Sequence, residues 1–272
     1  IVASLAGNKN VDDLPPGHPA RVYRSVWHSL SIDGDLLIMD GQRIIVPSDQ
    51  RTWVLERLHE SHSGIAKTRA LAKQLYFWPG LNNDIKTMVE KCGKCQQLRQ
   101  SQHAEPRVVT TANRPMEAVS VDLFQVGSKH YIVMVDRFSG YPLVSQLRIL
   151  DTKSVVQTLR RSFMLFGVPL TVRSDGGPQF RAEFEKFCTA SGIRHEKTSP
   201  YHSESNGHAE SAVKSMKYLL LKVDCDWTAF ERALLEWRNT PRADDNISPA
   251  QLFFGGRQRT FLPSHPSAYA TT

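Results

Sequence analysis

Two histidines three apart, His59 and His62, followed after twenty-nine intervening residues by Cys92-Gly93-Lys94-Cys95, constrain this chain more than any other feature. Two imidazoles and two thiolates are the ligand set of a closed tetrahedral zinc site, and such a site pins the fold that contains it at four points. The i, i+3 spacing of the histidines suits a helix or its last turn, which aims both rings the same way. Taken singly, the Cys pair also fits a disulfide or a redox dithiol, and a lone histidine fits a structural role; the four together read as zinc. Only Cys188 and Cys225 remain, so no disulfide framework is left. A reducing, intracellular and not secreted setting follows, with both remaining thiols expected as small buried hydrophobes.

The organisation around that pair is legible from periodicity. The 272 residues, 40% of them hydrophobic, suffice for more than one core. Residues 1–28 lack periodicity and are expected to form a loosely ordered lead-in. In residues 29–47 three short apolar runs are separated by Asp33-Gly34 and Asp40-Gly41, which predicts a small antiparallel β meander. Residues 48–100 predict three short helices: one opened by Ser48 and running through Leu58, one from Ile65 to Leu75, and one from Asn83 to Glu90. A module of this size has too little core to be secure alone, so metal binding supplies much of its folding free energy.

A polar stretch, 101–115, separates this module from a second domain, 116–241. There the pattern predicts strands Ala118–Val126, His130–Asp136 and Tyr141–Ile149 as a meander. A helix capped by Asp151 or Thr152 and stopped at Gly167 follows, then a strand to Ser174, a helix from Phe180 to Ser191, a strand from Ile193, and helices from about Asn206 and from Trp227. The expected fold class is α/β (α+β mixed), a five-stranded mixed sheet with flanking helices. Residues 242–272 are expected to hold a short helix and a flexible tail. No apolar run approaches a membrane span, so no membrane partner is expected, and the start at Ile1 without an initiator methionine or signal peptide suggests a chain cut from something longer. A net charge of +7 favours a polyanionic partner.

Asp122 interrupts the apolar strand Val119-Ser120-Val121-Asp122-Leu123-Phe124, and a carboxylate there costs several kcal/mol to desolvate unless something compensates it. Asp175 ends a strand in Ser174-Asp175-Gly176-Gly177, where glycines let the backbone turn tightly. Glu210 lies one turn into a helix opened by Ser205-Asn206-Gly207. Three carboxylates from two strands and a helix can cluster around divalent cations, the outline of a two-metal phosphoryl-transfer site. Spacing alone leaves Asp136 and Asp151 as rivals, since both also fall near strand ends.

Taken in order, these motifs resemble a retroviral-type integrase, and more closely the integrase of Gypsy-class LTR retrotransposons. The resemblance rests on His59, His62, Cys92 and Cys95, Asp122 in Val-Asp-Leu-Phe, Ser174-Asp-Gly-Gly-Pro-Gln-Phe180, and Ser199-Pro-Tyr-His with Ser205-Asn-Gly-His-Ala-Glu210. Lys67-Thr68, Tyr76-Phe-Trp-Pro79 and Val135-Asp-Arg-Phe-Ser-Gly140 add to it. It implies a ribonuclease-H-like core with Asp122, Asp175 and Glu210 as the catalytic trio, two Mg²⁺ or Mn²⁺ ions bridged by Asp122, and Asp136 outside the chemistry. It also implies a polynucleotidyl transferase that trims element ends and joins them to target DNA.

By the same resemblance the partner is double-stranded DNA, met by Lys214 and Lys217 on the helix face of Glu210, with Asn206 and Tyr201 as contacts from the preceding loop. The chain is expected to work as a homo-multimer in the nucleus after cytoplasmic passage. The zinc site is closed and structural, and Trp78 and Trp237 are expected in the core. Three features depart from the family pattern. The interval from Asp175 to Glu210 is one residue short, the gap falling between Phe180 and Phe184. Ser203 and Glu204 stand where Pro and Gln are usual, and no C-terminal β-barrel follows Gly255. The alternative reading is a catalytically inactive or domesticated integrase-derived DNA-binding protein; a ribonuclease H has no reason to carry the upstream histidines and cysteines.

Overall fold

The computed structural model describes residues 10–98, 112–197, 207–242 and 246–269, without the side chains of 207–211. Two compact units emerge: the first comprises Ile1–Gln97, Leu235–Gln251 and Gly255–Thr272, the second Leu98–Leu234 and Leu252–Phe254.

In the first unit the lead-in is ordered rather than loose from Asn10 onward. Asn10 and Asp13 close a reciprocal capping box over a 3-10 turn, Val11–Asp13, and a longer 3-10 helix, Pro19–Ser29, follows with Pro at its start. Val11, Leu14 and Ala20 bury themselves beside Trp27. The 3-10 geometry has no 3.6-residue period, which is why the apolar spacing gives no helix signal there. The meander forms as expected from β1 (Leu30–Asp33), β2 (Leu36–Met39) and β3 (Arg43–Ile45), and a two-residue strand, β4 (Tyr76–Phe77), joins β3 in parallel.

Three helices then carry the zinc module's core: α1 (Arg51–Leu58), α2 (Ile65–Leu75) and α3 (Leu81–Lys91), with a single-turn α4 (Gly93–Gln97) after them. Val54, Leu58, Leu71, Leu75, Trp78, Ile85 and Val89 pack together. The expected Ser48 cap is absent; Gln50 occupies the N-cap of α1 without a side-chain bond. The C-terminal segment is not a free tail, because Leu262 enters this same core, the Tyr76 hydroxyl donates to the Pro263 carbonyl, and His265 Nε2 meets Asp33 Oδ2 at 2.8 Å.

The second unit is built on β5 (Ala118–Val126), β6 (Lys129–Asp136), β7 (Pro142–Leu147), β8 (Thr171–Ser174) and β9 (Arg194–Lys197), ordered β7-β6-β5-β8-β9. The meander strands pair antiparallel, while β5–β8 and β8–β9 pair in parallel. Alternation along the strands sends Val119, Val121, Ile132, Met134 and Val172 to one face, against α5 (Thr152–Phe166) and α6 (Glu183–Ala190), whose Val155, Leu159, Phe163, Phe184 and Cys188 complete a single core. On the other face Phe124, Tyr131 and Trp227 stack in series, and α7 (Gly207–Lys222), whose Met216, Leu219 and Leu220 are buried, packs on β5 and β6. The chain continues through α8 (Trp227–Asn239) and α9 (Pro249–Phe254).

The helix expected from Phe180 is broken. A 3-10 turn, Pro178–Phe180, ends there and Ala182 takes φ 39°, ψ −87° before α6 begins.

Candidate metal centres

At the first centre α1 stops at Leu58, so His59 caps the helix and His62 lies beyond it in a tight turn, its N–H bonded to the His59 carbonyl at 2.8 Å with φ 45°. The histidines thus follow the helix instead of sharing its face, and the left-handed residue turns the second ring back toward the first, their centroids 4.9 Å apart. Thr68 stiffens the turn from α2, donating to the carbonyls of Ser63 and Gly64 at 3.2 Å each. Cys92 caps α3 and Cys95 lies in α4. All four ligand atoms fall within 4.8 Å of one another.

The individual separations test the fit. Cys95 Sγ is 3.4 Å from His59 Nε2 and 3.6 Å from His62 Nδ1, and Cys92 Sγ is 3.6 Å from the same Nδ1. A tetrahedron with Zn–S of about 2.3 Å and Zn–N of about 2.0 Å has edges of roughly 3.5 Å between S and N. These three edges fit a coordination tetrahedron, and the group among the described residues comprises these four ligands. Trp78 is core, as expected: it is buried, and its indole N–H donates to Asp84 at 2.7 Å.

The second centre follows from strand register. In the parallel pair β5–β8, Ser120 faces Arg173; two residues further along each strand come Asp122 and Asp175. Neighbouring strands lie about 4.8 Å apart, so the register, extended one residue past the end of β8 at Ser174, would bring the two acids beside each other. Asp122 alternates onto the face opposite Val121, and the alternation of β8, with Val172 in the core, extends to give Asp175 that same face. Asp122 is half-buried, its Oδ1 accepting from the Leu123 N–H at 2.7 Å; Asp175 is exposed, its Oδ1 accepting from the Gly177 N–H at 3.1 Å. A Cβ at Gly177 would stand 3.0 Å from that oxygen, so a bare residue there leaves the carboxylate its room.

Glu210 is in the first turns of α7, the helix packed on this sheet face, though its side chain lies outside the described residues. Lys214 and Lys217 are exposed along the same helix edge, while Asn206 and Tyr201 lie outside the described residues.

The rival acids are spent on structure. Asp136 is buried at the β6–β7 turn and accepts from the N–H groups of Met116 and Ser139 and from the Ser139 hydroxyl; burial raises its pKa against those bonds. Asp151 caps α5 by accepting from the Ser154 N–H at 2.7 Å, which holds its pKa below the ordinary carboxylate value. Cys188 is a buried small hydrophobe as expected, its thiol pushed up to about 11 by burial. Sequence reasoning missed two pairs around Asp175: on the face away from the core Arg173 donates twice to Glu196, at 3.1 and 2.7 Å, and on the core face Ser174 pairs with His195 at 2.9 Å. Burial lowers the His195 pKa, aided by Lys197. These are cross-strand partners, so no local spacing announces them.

A zinc-type His₂Cys₂ module followed by a mixed five-stranded core defines a recognisable class, and the comparisons agree. The family model described as an integrase zinc binding domain matches residues 46–101, and that described as an integrase core domain matches residues 112–203. An uncharacterized protein of Caenorhabditis elegans is 32% identical over 243 residues, which are 85% of this chain and 19% of that protein. The Pro-Pol polyprotein of feline foamy virus is 24% identical over 268 residues, 93% of this chain and 23% of its own length. This chain thus spans about a fifth of the length of such relatives. Its fold is similar to a chain in the cryoEM structure of the simian T-cell lymphotropic virus intasome in complex with PP2A regulatory subunit B56 gamma, with a TM-score of 0.52, 18% identity, and coverage of 80% of this chain and 78% of that one. The chain carries the zinc-binding and core domains of the integrase family.

Proposed function

We propose that this chain is the integrase of a Gypsy-class LTR retrotransposon, a polynucleotidyl transferase that trims element DNA ends and joins them to target DNA by in-line phosphoryl transfer. The observation that carries the reading is the β5–β8 register: Ser120 pairs with Arg173, Asp122 and Asp175 each follow by two residues, and the helix bearing Glu210 packs on the same sheet. Carboxylate oxygens on one sheet face are the donor set that hard divalent cations require, and Asp122, Asp175 and Glu210 would hold Mg²⁺ or Mn²⁺ there. Bound ions of this kind activate the attacking oxygen and neutralise the leaving one.

The protein's own groups supply the rest. Asp122 comes from the middle of a paired strand and gives the site its rigid wall. Lys214 and Lys217 extend the edge of α7 as point charges for DNA phosphates, with Asn206 and Tyr201 reading the strand from the preceding segment. The His59, His62, Cys92 and Cys95 site holds zinc as a structural staple and takes no part in the reaction. The fold relative is part of a viral intasome, which supports action as a homo-multimer on double-stranded DNA, and integration into chromosomal DNA implies a nuclear site of action after cytoplasmic passage.

Labelled duplexes carrying the element's ends, incubated with Mg²⁺ or Mn²⁺, test the reading. Wild-type protein yields trimmed ends and strand-transfer product. Asp122→Asn lowers both on the order of 10³-fold while duplex binding persists, the scale on which loss of a preorganised electrostatic group acts. Duplex binding by the wild type without product in either metal overturns the reading in favour of a catalytically inactive or domesticated DNA-binding derivative.

A further inference from the structure

Ser174 and His195 form a pair on the reverse of the sheet from the acids. Ser174 ends β8, is fully buried, and donates its hydroxyl to the carbonyl of Asp175 at 3.0 Å, while the same oxygen lies 2.9 Å from His195 Nε2. A hydroxyl has one proton, so with it on the Asp175 carbonyl the second bond takes its proton from the imidazole, the arrangement in which His195 is the Nε2–H tautomer. Its Nδ1 is buried with no partner among the described residues, and the ring packs edge-on against Phe184 with centroids 4.9 Å apart.

The register fixes what this pair can reach. His195 is the cross-strand neighbour of Val172, and Ser174 shares the side of Val172, so both side chains take the core face, whereas Asp122 and Asp175 take the other. The pair therefore touches no substrate and acts only through the backbone. It acts where the backbone matters most, because Asp175 is an exposed residue just past the end of a four-residue strand. Strand ends open locally at low cost, and a ligand half an ångström out of place is a poor ligand. Furthermore, β9 is the strand from which the chain runs on toward Glu210, so one bond ties the exits leading to two of the three acids.

We propose that Ser174 and His195 are positioning residues that hold the Asp175 backbone, and the β9 exit beside it, in the arrangement that binds divalent cations at the acidic site. The inference rests on Asp122, Asp175 and Glu210 being the cation ligands. Groups that orient metal ligands from behind typically change affinity about 10- to 100-fold when removed.

The test uses the full zinc-loaded chain, with Mn²⁺ as the probe, free Mn²⁺ followed by EPR, and thermal melting alongside. Ser174→Ala removes the shared hydroxyl. His195→Phe keeps a ring against Phe184 and deletes the donor together with the unpartnered nitrogen, so the melting temperature stays near wild type. His195→Gln restores an amide donor at similar reach. The expected result is Mn²⁺ affinity weakened about 10- to 100-fold in Ser174→Ala and His195→Phe, and largely recovered in His195→Gln. Wild-type affinity in His195→Phe and Ser174→Ala, with binding still lost in Asp122→Asn, overturns this proposal alone. Mn²⁺ binding insensitive to Asp122→Asn overturns the reading of the acids as ligands, and this proposal with it.

Discussion

The two candidate metal centres are assembled in opposite ways. The zinc ligands come from a turn and a helix end within 37 residues, His59 to Cys95, and are held by short elements with a small core. The proposed acidic ligands come from positions 122, 175 and 210, and the first two each follow by two residues the paired Ser120 and Arg173 of β5 and β8, inside a five-stranded sheet that has its own large core. A site of the first kind helps to fold its module, whereas one of the second kind inherits its geometry from a fold that stands without it. Closed four-ligand zinc suits the former and exchangeable divalent cations the latter.

Metal removal is the most forceful way to break that contrast. Chelation of zinc, or Cys95→Ser, withdraws free energy on the order of 10 kcal/mol from the module and is expected to abolish amide protection in α1, α2 and α3 while the β5–β9 sheet keeps its own. Thiol labelling sharpens the result: Cys92 and Cys95 become reactive, whereas Cys188 stays silent, since a pKa of about 11 leaves its thiolate scarce at neutral pH. Parallel loss of protection in the sheet would mean that the core does not stand on its own. Leu262→Ala comes next in size. That side chain is 3% exposed within the zinc module's core, so truncation is expected to cost roughly 3 kcal/mol in denaturant unfolding of the first unit. An unchanged midpoint would return residues 255–269 to the status of a loose tail.

Legibility in the sequence followed the same divide between local and cross-strand information. Strand Ala118–Val126 and helices Ile65–Leu75, Thr152–Phe166 and Trp227–Asn239 carry periodic apolar faces and clear stop signals, and they form where the pattern places them. The 3-10 segments before Ser29 carry no such period, β4 exists only because β3 lies beside it, and the path after Gly255 is set by the burial of Leu262 far from its neighbours in the chain. The His and Cys residues announced themselves because zinc imposes ligand type and spacing together. Asp122 and Asp175 were less distinct from Asp136 and Asp151 in sequence, and only their bonds separate them: Asp136 and Asp151 spend their oxygens on turn and cap amides. Ser174 and His195 looked like ordinary strand residues, since a pair across strands has no spacing rule.

The smallest expected effect concerns the interval in which this chain is one residue shorter than the pattern it resembles. Phe180 and Phe184 are both buried, with their rings edge-to-face at 5.3 Å, so neither anchor is free to shift. The connection between them passes through Ala182, whose φ of 39° and ψ of −87° lie near the γ-turn region that is rare and strained for a residue with a Cβ. Glycine tolerates that geometry, and Ala182 is exposed, so no packing is lost in the exchange. Ala182→Gly is therefore expected to raise the denaturant stability of the second unit by roughly 1 kcal/mol, strain relief outweighing the added freedom of the unfolded chain. A loss of similar size, the ordinary cost of introducing glycine, would show that the sheet unit accommodates the shorter interval without strain at this residue. In that case the shortage would have to be absorbed elsewhere between Asp175 and Glu210, closer to the acids.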